Sequence, residues 1–175
     1  NFLSPFFPAG FYYKTFMWPA SFWEKYEFFI RHSAGLGKSP TSSDPDIYDH
    51  RNVHCDVLVV GAGIAGILAA KNAAKNNFKT LLVDEKNELG GSTIYENNEF
   101  NKIDNKTSSE WLKKEIEEIK GIKNLEIKTR TSVAAYHQYN YLLARENLTD
   151  HLETKDKTNK IRQRLLKIRA KKVIL

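Results

Sequence analysis

Residues 54–91 read HCDVLVVGAGIAGILAAKNAAKNNFKTLLVDEKNELGG, and this stretch decides the fold. An apolar strand over residues 56–60 leads straight into Gly61-Ala62-Gly63-Ile64-Ala65-Gly66. An alanine-rich helix follows, then a second apolar strand over residues 80–83 that ends on Asp84-Glu85. Gly90-Gly91 comes shortly after. Strand, glycine turn, helix and acid-terminated strand are the first βαβ half of a dinucleotide-binding fold. The run of Val and Leu before Gly61 suits a central parallel strand buried on both faces.

Each glycine has a task. Gly61 turns the chain out of the strand, Gly63 lets the backbone approach a pyrophosphate, and Gly66 lets the helix pack closely. The helix start at residues 64–66 aims backbone N–H groups and the positive dipole end at phosphate. The binding loop is therefore Gly61, Ala62, Gly63, Ile64, Ala65 and Gly66. Asp84 follows Gly66 by 18 positions, close to the interval of about 20 expected for an acid that meets an adenosine ribose. A carboxylate there repels a 2′-phosphate, which disfavours NADP. Asp84 is the expected ribose ligand, with Glu85 as its neighbour on the adenine side. Spacing alone leaves FAD and NAD+ both open.

Outward from this unit, residues 1–30 hold 13 of the 21 aromatic side chains. Pro5, Pro8, Gly10 and Pro19 break that segment, so it cannot be one helix. It must be buried within its own chain or in a subunit interface. A short helix is expected over residues 21–33, with Ser21 and Glu24 as a capping box and Gly35 and Gly37 beyond its end. Residues 36–53 read as a linker, rich in Gly, Pro, Ser and Asp. His50 and His54 flank its end without the carboxylate or cysteine partners of a metal site.

Beyond the βαβ unit, residues 92–106 are polar and read as loop. A helix is expected over residues 108–120, capped by Thr107 with Glu110 and closed by Gly121; Trp111, Leu112, Ile116 and Ile119 mark its buried stripe. Residues 125–128 read as a third strand. Residues 131–138, 141–147 and 161–169 suggest an antiparallel meander, with a hairpin turn at Tyr139-Asn140 and a longer loop over residues 149–160. Residues 171–175 would be a further strand returning to the parallel sheet. The fold class is α/β: a Rossmann-like FAD/NAD(P)-binding domain with a parallel sheet and a β-meander crossover, preceded by an aromatic-rich helical segment. Residues 1–53 form the N-terminal segment and residues 54–175 the dinucleotide-binding domain.

The 175 residues carry a net charge of +6. The cations are spread among Asp and Glu, and the densest run, residues 160–172, alternates with Leu and Ile. That is a solvated strand face, not a nucleic-acid footprint. The single cysteine, Cys55, permits no disulfide framework and reads as a buried, inert thiol in a reducing, cytoplasmic protein. No apolar run reaches the roughly 20 residues of a membrane span. The chain opens on Asn1 and stops inside an apolar run, which suggests a segment of a longer protein. His32, His137 and His151 are isolated, and no residue presents itself as a catalytic acid, base or nucleophile.

Gly-Gly after the acidic residue and a β-meander in the crossover resemble the two-dinucleotide-binding flavoproteins, such as lipoamide dehydrogenase. The resemblance sharpens in PAGFYYKTFMWPASFWEKYEFFIRHSAGLG (residues 8–37), DPDIYDHRNVHCDVLVVGAGIAGILAA (44–70), YHQYNYLLAR (136–145) and RAKKVIL (169–175). These stretches resemble the α subunits of heterotetrameric sarcosine oxidases. That likeness implies NAD+ rather than FAD on this first Rossmann unit, with FAD on the β subunit and covalent FMN at the α/β boundary. It also implies γ and δ subunits as partners, with a ferredoxin-like region and a folate-binding region elsewhere in the subunit. The implied reaction takes sarcosine and O2 to glycine, hydrogen peroxide and methylene-tetrahydrofolate. By motif, the resemblance puts Gly61, Gly63, Ala65 and Gly66 at the pyrophosphate and Asp84 and Glu85 at the ribose. Lys86 and Ser92 would flank the acidic turn and the Gly90-Gly91 loop, and Val133 would offer its backbone to the adenine edge. Ile64 stands where many relatives have Pro, and Asn77 where many have Gly; neither change removes a phosphate donor. Two other functions fit the same residues: a subunit of a related FAD-dependent amino-acid or opine dehydrogenase, and a non-catalytic interaction subunit stabilised by its nucleotide.

Overall fold

The computed structural model describes residues 19–38, 41–95, 102–153 and 160–175. The chain forms two compact units, Asn1–Pro45 and Asp46–Leu175. In the first, a single 3-10 turn, Ala20–Phe22, precedes helix α1, Trp23–Ser33, and none of the helix's side chains is buried. The expected Ser21–Glu24 capping box does not form. The Phe22 N–H donates to the Pro19 carbonyl at 2.9 Å, so Ser21 lies inside that turn and Phe22 takes the capping position. The helix ends as expected. Gly35 is left-handed (φ +68), and the N–H groups of Gly35 and Leu36 return to the carbonyls of His32 and Arg31, closing a Schellman motif. The aromatic stretch of residues 1–18 lies outside the described residues.

The second unit contains strands β1 (Ile47–Val60), β2 (Thr80–Val83), β3 (Lys102–Ile103), β4 (Lys106–Thr107), β5 (Leu125–Lys128), β6 (Thr131–His137), β7 (Tyr141–Asn147) and β8 (Ile161–Ile174). Helices α2 (Ile64–Lys75) and α3 (Ser108–Lys120) complete it. One six-stranded sheet runs in the order β5-β2-β1-β8-β7-β6. The first four strands are parallel, and β8-β7-β6 are antiparallel. No helix among the described residues is long and apolar enough to cross a membrane.

Several expected elements form where the sequence places them. The strands over residues 80–83 and 125–128 and the helix over 108–120 match residue for residue. Thr107 and Glu110 make the reciprocal capping box. Tyr139 and Asn140 take positive φ (59° and 52°) at the β6–β7 turn, the geometry a tight hairpin demands.

Three expectations change. The boundary drawn between residues 53 and 54 falls inside β1, because that strand already starts at Ile47. Its polar first half is held by parallel pairing to β8, and Arg164 Nε donates to Asp49 Oδ2 at 2.8 Å. The two strands expected over residues 161–169 and 171–175 are one 14-residue strand, β8. It pairs with β7 through Arg169 and with β1 through Ile174, so no turn is needed between meander and parallel sheet. The loop expected over residues 92–106 carries a 3-10 turn, Gly91–Tyr95, and the small β3–β4 hairpin, turned by Asp104 and Asn105 at positive φ. Residues 96–101, within that span, and 154–159, within the loop expected before β8, lie outside the described residues.

Alternation along β1 and β2 builds a core on each face of the sheet. Val57, Val59 and Leu82 pack with Ile67, Ala70, Leu112 and Ile119 on the helical face. Leu58, Leu81 and Val83 pack with Leu142, Ala144, Leu166 and Ile168 on the meander face. Each fully buried aliphatic side chain contributes about 1.5–3 kcal/mol relative to exposure. This double burial holds the carboxyl ends of β1 and β2, where the glycine loop and the acidic pair emerge.

Candidate nucleotide-binding site

The site grows from the junction of β1 with α2. Gly61 leaves β1 with φ +98, and its N–H donates to the Val83 carbonyl at 2.8 Å, so the turn is tied to the end of β2. Gly63 caps α2 but has no side chain to occupy the free N–H groups of the first turn, and no acidic residue stands in that turn. Among the described residues, no atom beyond the two chain neighbours lies within 4 Å of where a Cβ on Gly61 or Gly63 would stand. An uncapped helix start beside an open backbone cradle fits a pyrophosphate. Gly66 serves packing: a Cβ there would lie 1.9 Å from the Gly61 carbonyl oxygen.

The second glycine pair braces the first. The Gly90 N–H donates to the Ala62 carbonyl at 2.7 Å. Gly90 has φ +123, and a Cβ on it would fall 2.5 Å from a Leu112 methyl group. This is a backbone position for glycine alone.

The acidic pair divides its work. The Asp84 carboxylate is held by backbone donors on both sides: Ala62 N–H at 2.5 Å to Oδ2 and Lys86 N–H at 2.7 Å to Oδ1. Hydrogen bonds to a charged acceptor contribute about 1.5–3 kcal/mol each. The Asp84 carbonyl also accepts from Thr131 N–H at 2.7 Å, which draws the start of β6 to the end of β2. Glu85 and Lys86 are exposed, and the Lys86 ammonium lies 5.7 Å from the centre of the Tyr95 ring.

A cleft of about 270 Å³ opens here, and it gathers Gly61, Asp84, Glu85, Lys86, Gly91 and Val133 of the expected residues. Val60, Val83, Thr131 and Ser132 complete its lining. Ala62, Gly63, Ile64, Ala65, Gly66 and Ser92 do not line it. Ala62 is fully buried with both backbone groups engaged, and residues 64–66 form the adjoining first turn of α2. Thr131 and Ser132 carried no local sequence signal; they arrive because the chain returns from β5 across the end of β2. A larger cavity of about 500 Å³ lies against α3, lined by Leu89, Leu112, Ile116 and Ile127 among others. It contains none of the glycine-loop residues, so the smaller cleft, beside the phosphate donors, is the nucleotide candidate. Away from the cleft, Cys55 is buried, and desolvation pushes its thiol up to about 11, as an inert core residue requires.

Known proteins carry the same pattern. The chain is 41% identical over 151 residues to the sarcosine oxidase subunit alpha of Rhizobium meliloti, covering 86% of this chain and 15% of that protein. It is 38% identical over 142 residues to the Corynebacterium sp. (strain U-96) sarcosine oxidase subunit alpha, covering 81% of this chain and 14% of that one. It thus spans about a seventh of the length of these relatives. Among solved structures, L-proline dehydrogenase from P. horikoshii superposes with a TM-score of 0.52 at 22% identity, covering 78% of this chain and 24% of that one. That likeness speaks for the Rossmann-like fold. The sequence profile described as FAD dependent oxidoreductase matches residues 56–166. This span runs from the strand before the glycine loop to the middle of β8, and the chain belongs to the FAD dependent oxidoreductase family.

Proposed function

We propose that this chain is the NAD+-holding part of the α subunit of a heterotetrameric sarcosine oxidase. The observation that carries this reading is the 41% identity to a sarcosine oxidase subunit alpha over 86% of the chain, together with an uncapped helix start beside the cleft at an acid-ended strand. The cradle of Gly61, Gly63 and the α2 start would take the pyrophosphate. Asp84, Glu85 and Lys86 lie at the adenosine side with the backbone of Val133, and Ser92 follows the glycine pair. The full assembly, with β, γ and δ subunits and FAD and FMN, would convert sarcosine and O2 to glycine and hydrogen peroxide in the cytoplasm. Tetrahydrofolate would capture the one-carbon unit. The flavins would supply the redox chemistry. This chain's residues would bind and orient a nucleotide.

A second reading puts FAD on the same glycines, and the FAD dependent oxidoreductase profile over residues 56–166 favours it. Denaturing the purified complete oxidase and identifying the released nucleotides separates the two. NAD+ released at one equivalent per copy of this chain is the expected result. Noncovalent FAD at two equivalents with no nicotinamide nucleotide would replace the first reading by the second.

A further inference from the structure

We propose that the outer face of β7 and β8 docks an acidic protein surface carried by a separate chain, which, on the proposed sarcosine oxidase reading, is another subunit of the same enzyme. Here the strands lie in the order β1-β8-β7-β6, and residues paired across strands share a face of the sheet. The inner face sends Leu142, Ala144, Leu166 and Ile168 into the core. Its charges are balanced: Arg164 lies in register between Asp49 and Glu146 and donates to both carboxylates, at 2.8 and 3.2 Å. The outer face is built differently. Three successive rows pair Tyr141 with Arg169, Leu143 with Lys167, and Arg145 with Leu165, so each sets a cation beside an apolar side chain. Their neighbours in register on β1 and β6 are His, Asn, Ala and Ser, and no carboxylate stands in these rows. The carboxylates at the two borders are already paired, Asp56 with Lys171 and Asp150 with Arg162. Arg145, Lys167 and Arg169 make no ion pair with another described residue. Arg145 and Arg169 are exposed, and Leu165 is 39% exposed. Unpaired cations interleaved with apolar side chains match a protein interface that supplies carboxylates. A phosphate backbone is met by cations and hydrogen-bond donors and makes little use of the Leu and Tyr between them. A second copy does not fit, because a two-fold contact would set cation against cation. Charge of one sign speeds encounter between separate molecules, a gain that a domain tethered on the same chain does not need.

The complete oxidase tests this by sedimentation velocity on dilution, at low and at high salt. Reversing the face with Arg145→Glu, Lys167→Glu and Arg169→Glu together should weaken the hold on one partner subunit by about tenfold at low salt. The gap from the wild type should close at high salt, where exposed charges are screened. The three residues lie outside the nucleotide cleft, so nucleotide released per chain should equal that of the wild type and reports a folded variant. If the reversed chain does not fold, the three Gln substitutions decide, with a smaller loss in the same direction. Reversing Lys102, Lys106 and Lys113, exposed cations elsewhere, changes the net charge equally and should leave assembly intact. A reversed face that assembles like the wild type, or an equal loss in the control, overturns the proposal. Binding of the wild-type complex to phosphatidylserine vesicles or duplex DNA that the reversed face abolishes, with assembly unchanged, overturns it in favour of a membrane or a nucleic acid. A wild type that purifies without a partner chain overturns the multisubunit reading and this docking with it, before any substitution is made.

Discussion

A Cβ on Gly66 would lie 1.9 Å from the carbonyl oxygen of Gly61. Five residues apart in sequence, these two positions set how closely α2 approaches β1, and so where the helix start points.

Gly66→Ala should destabilise the protein despite the better helix propensity of alanine. Propensity favours alanine by about 1 kcal/mol, whereas overpacking against backbone costs about 1–3 kcal/mol. The net effect expected is a lower urea midpoint together with weaker nucleotide retention. A midpoint equal to or above that of the wild type would show that the helix shifts freely.

Thr107→Ala removes the side-chain half of the α3 capping box, in which Thr107 Oγ1 accepts from Glu110 N–H at 3.3 Å. The loss expected is about 1 kcal/mol, read in chemical denaturation. Nucleotide affinity should not change, because neither residue lines the cleft.

Leu58→Ala empties a fully buried position on the meander face of the sheet. A loss of about 2–5 kcal/mol is expected, several times that of the cap variant. A change below 1 kcal/mol would mean that Leu142 and Leu166 collapse into the gap.

Acid should weaken the long-range ion pairs before it touches the apolar core. The Arg164 guanidinium holds the Asp49 carboxyl below its ordinary value, and Lys171, with the Lys79 N–H, does the same for Asp56. Both folded values lie under an unfolded value of about 3.9. Their stabilisation is complete above that pH and is lost as pH falls through the folded values. Urea midpoints taken from pH 6 to pH 2.5 should fall more steeply for the wild type than for Asp49→Asn. Parallel curves would remove Asp49 from the acid response.

Cys55 should resist thiol reagents in the native state. It is 7% exposed, and burial pushes its thiol up to about 11, so almost no thiolate exists at neutral pH. A disulfide reagent should label it only once denaturant is added. Rapid labelling of the folded protein would place β1 around Cys55 in an open conformation.

Local chemistry made much of this fold legible. Glycine spacing, the apolar run before Gly61, the Thr107–Glu110 box and the Tyr139-Asn140 turn each depend on residues within a few positions of one another, and each forms as the pattern demands. What escaped depends on partners far along the chain. Residues 47–53 look like linker until β8 pairs with them, and the Asp49–Arg164 contact joins residues 115 positions apart. The continuity of β8 is equally non-local, because β1 pairs along its whole length while β7 pairs with it only as far as Arg169. At the site, an acid near position 84 was expected from spacing, but spacing cannot say which oxygen meets which donor.

The sequence by itself determined that a glycine loop joins a buried strand to a helix and faces an acidic strand end, because those features follow from backbone sterics and short-range periodicity. Only the tertiary structure decided that Asp84 is already bound to the Ala62 and Lys86 N–H groups, and that Thr131 and Ser132 wall the cleft. Those facts depend on how β1, β2 and β6 converge in space, and convergence is set by packing on both faces of the sheet.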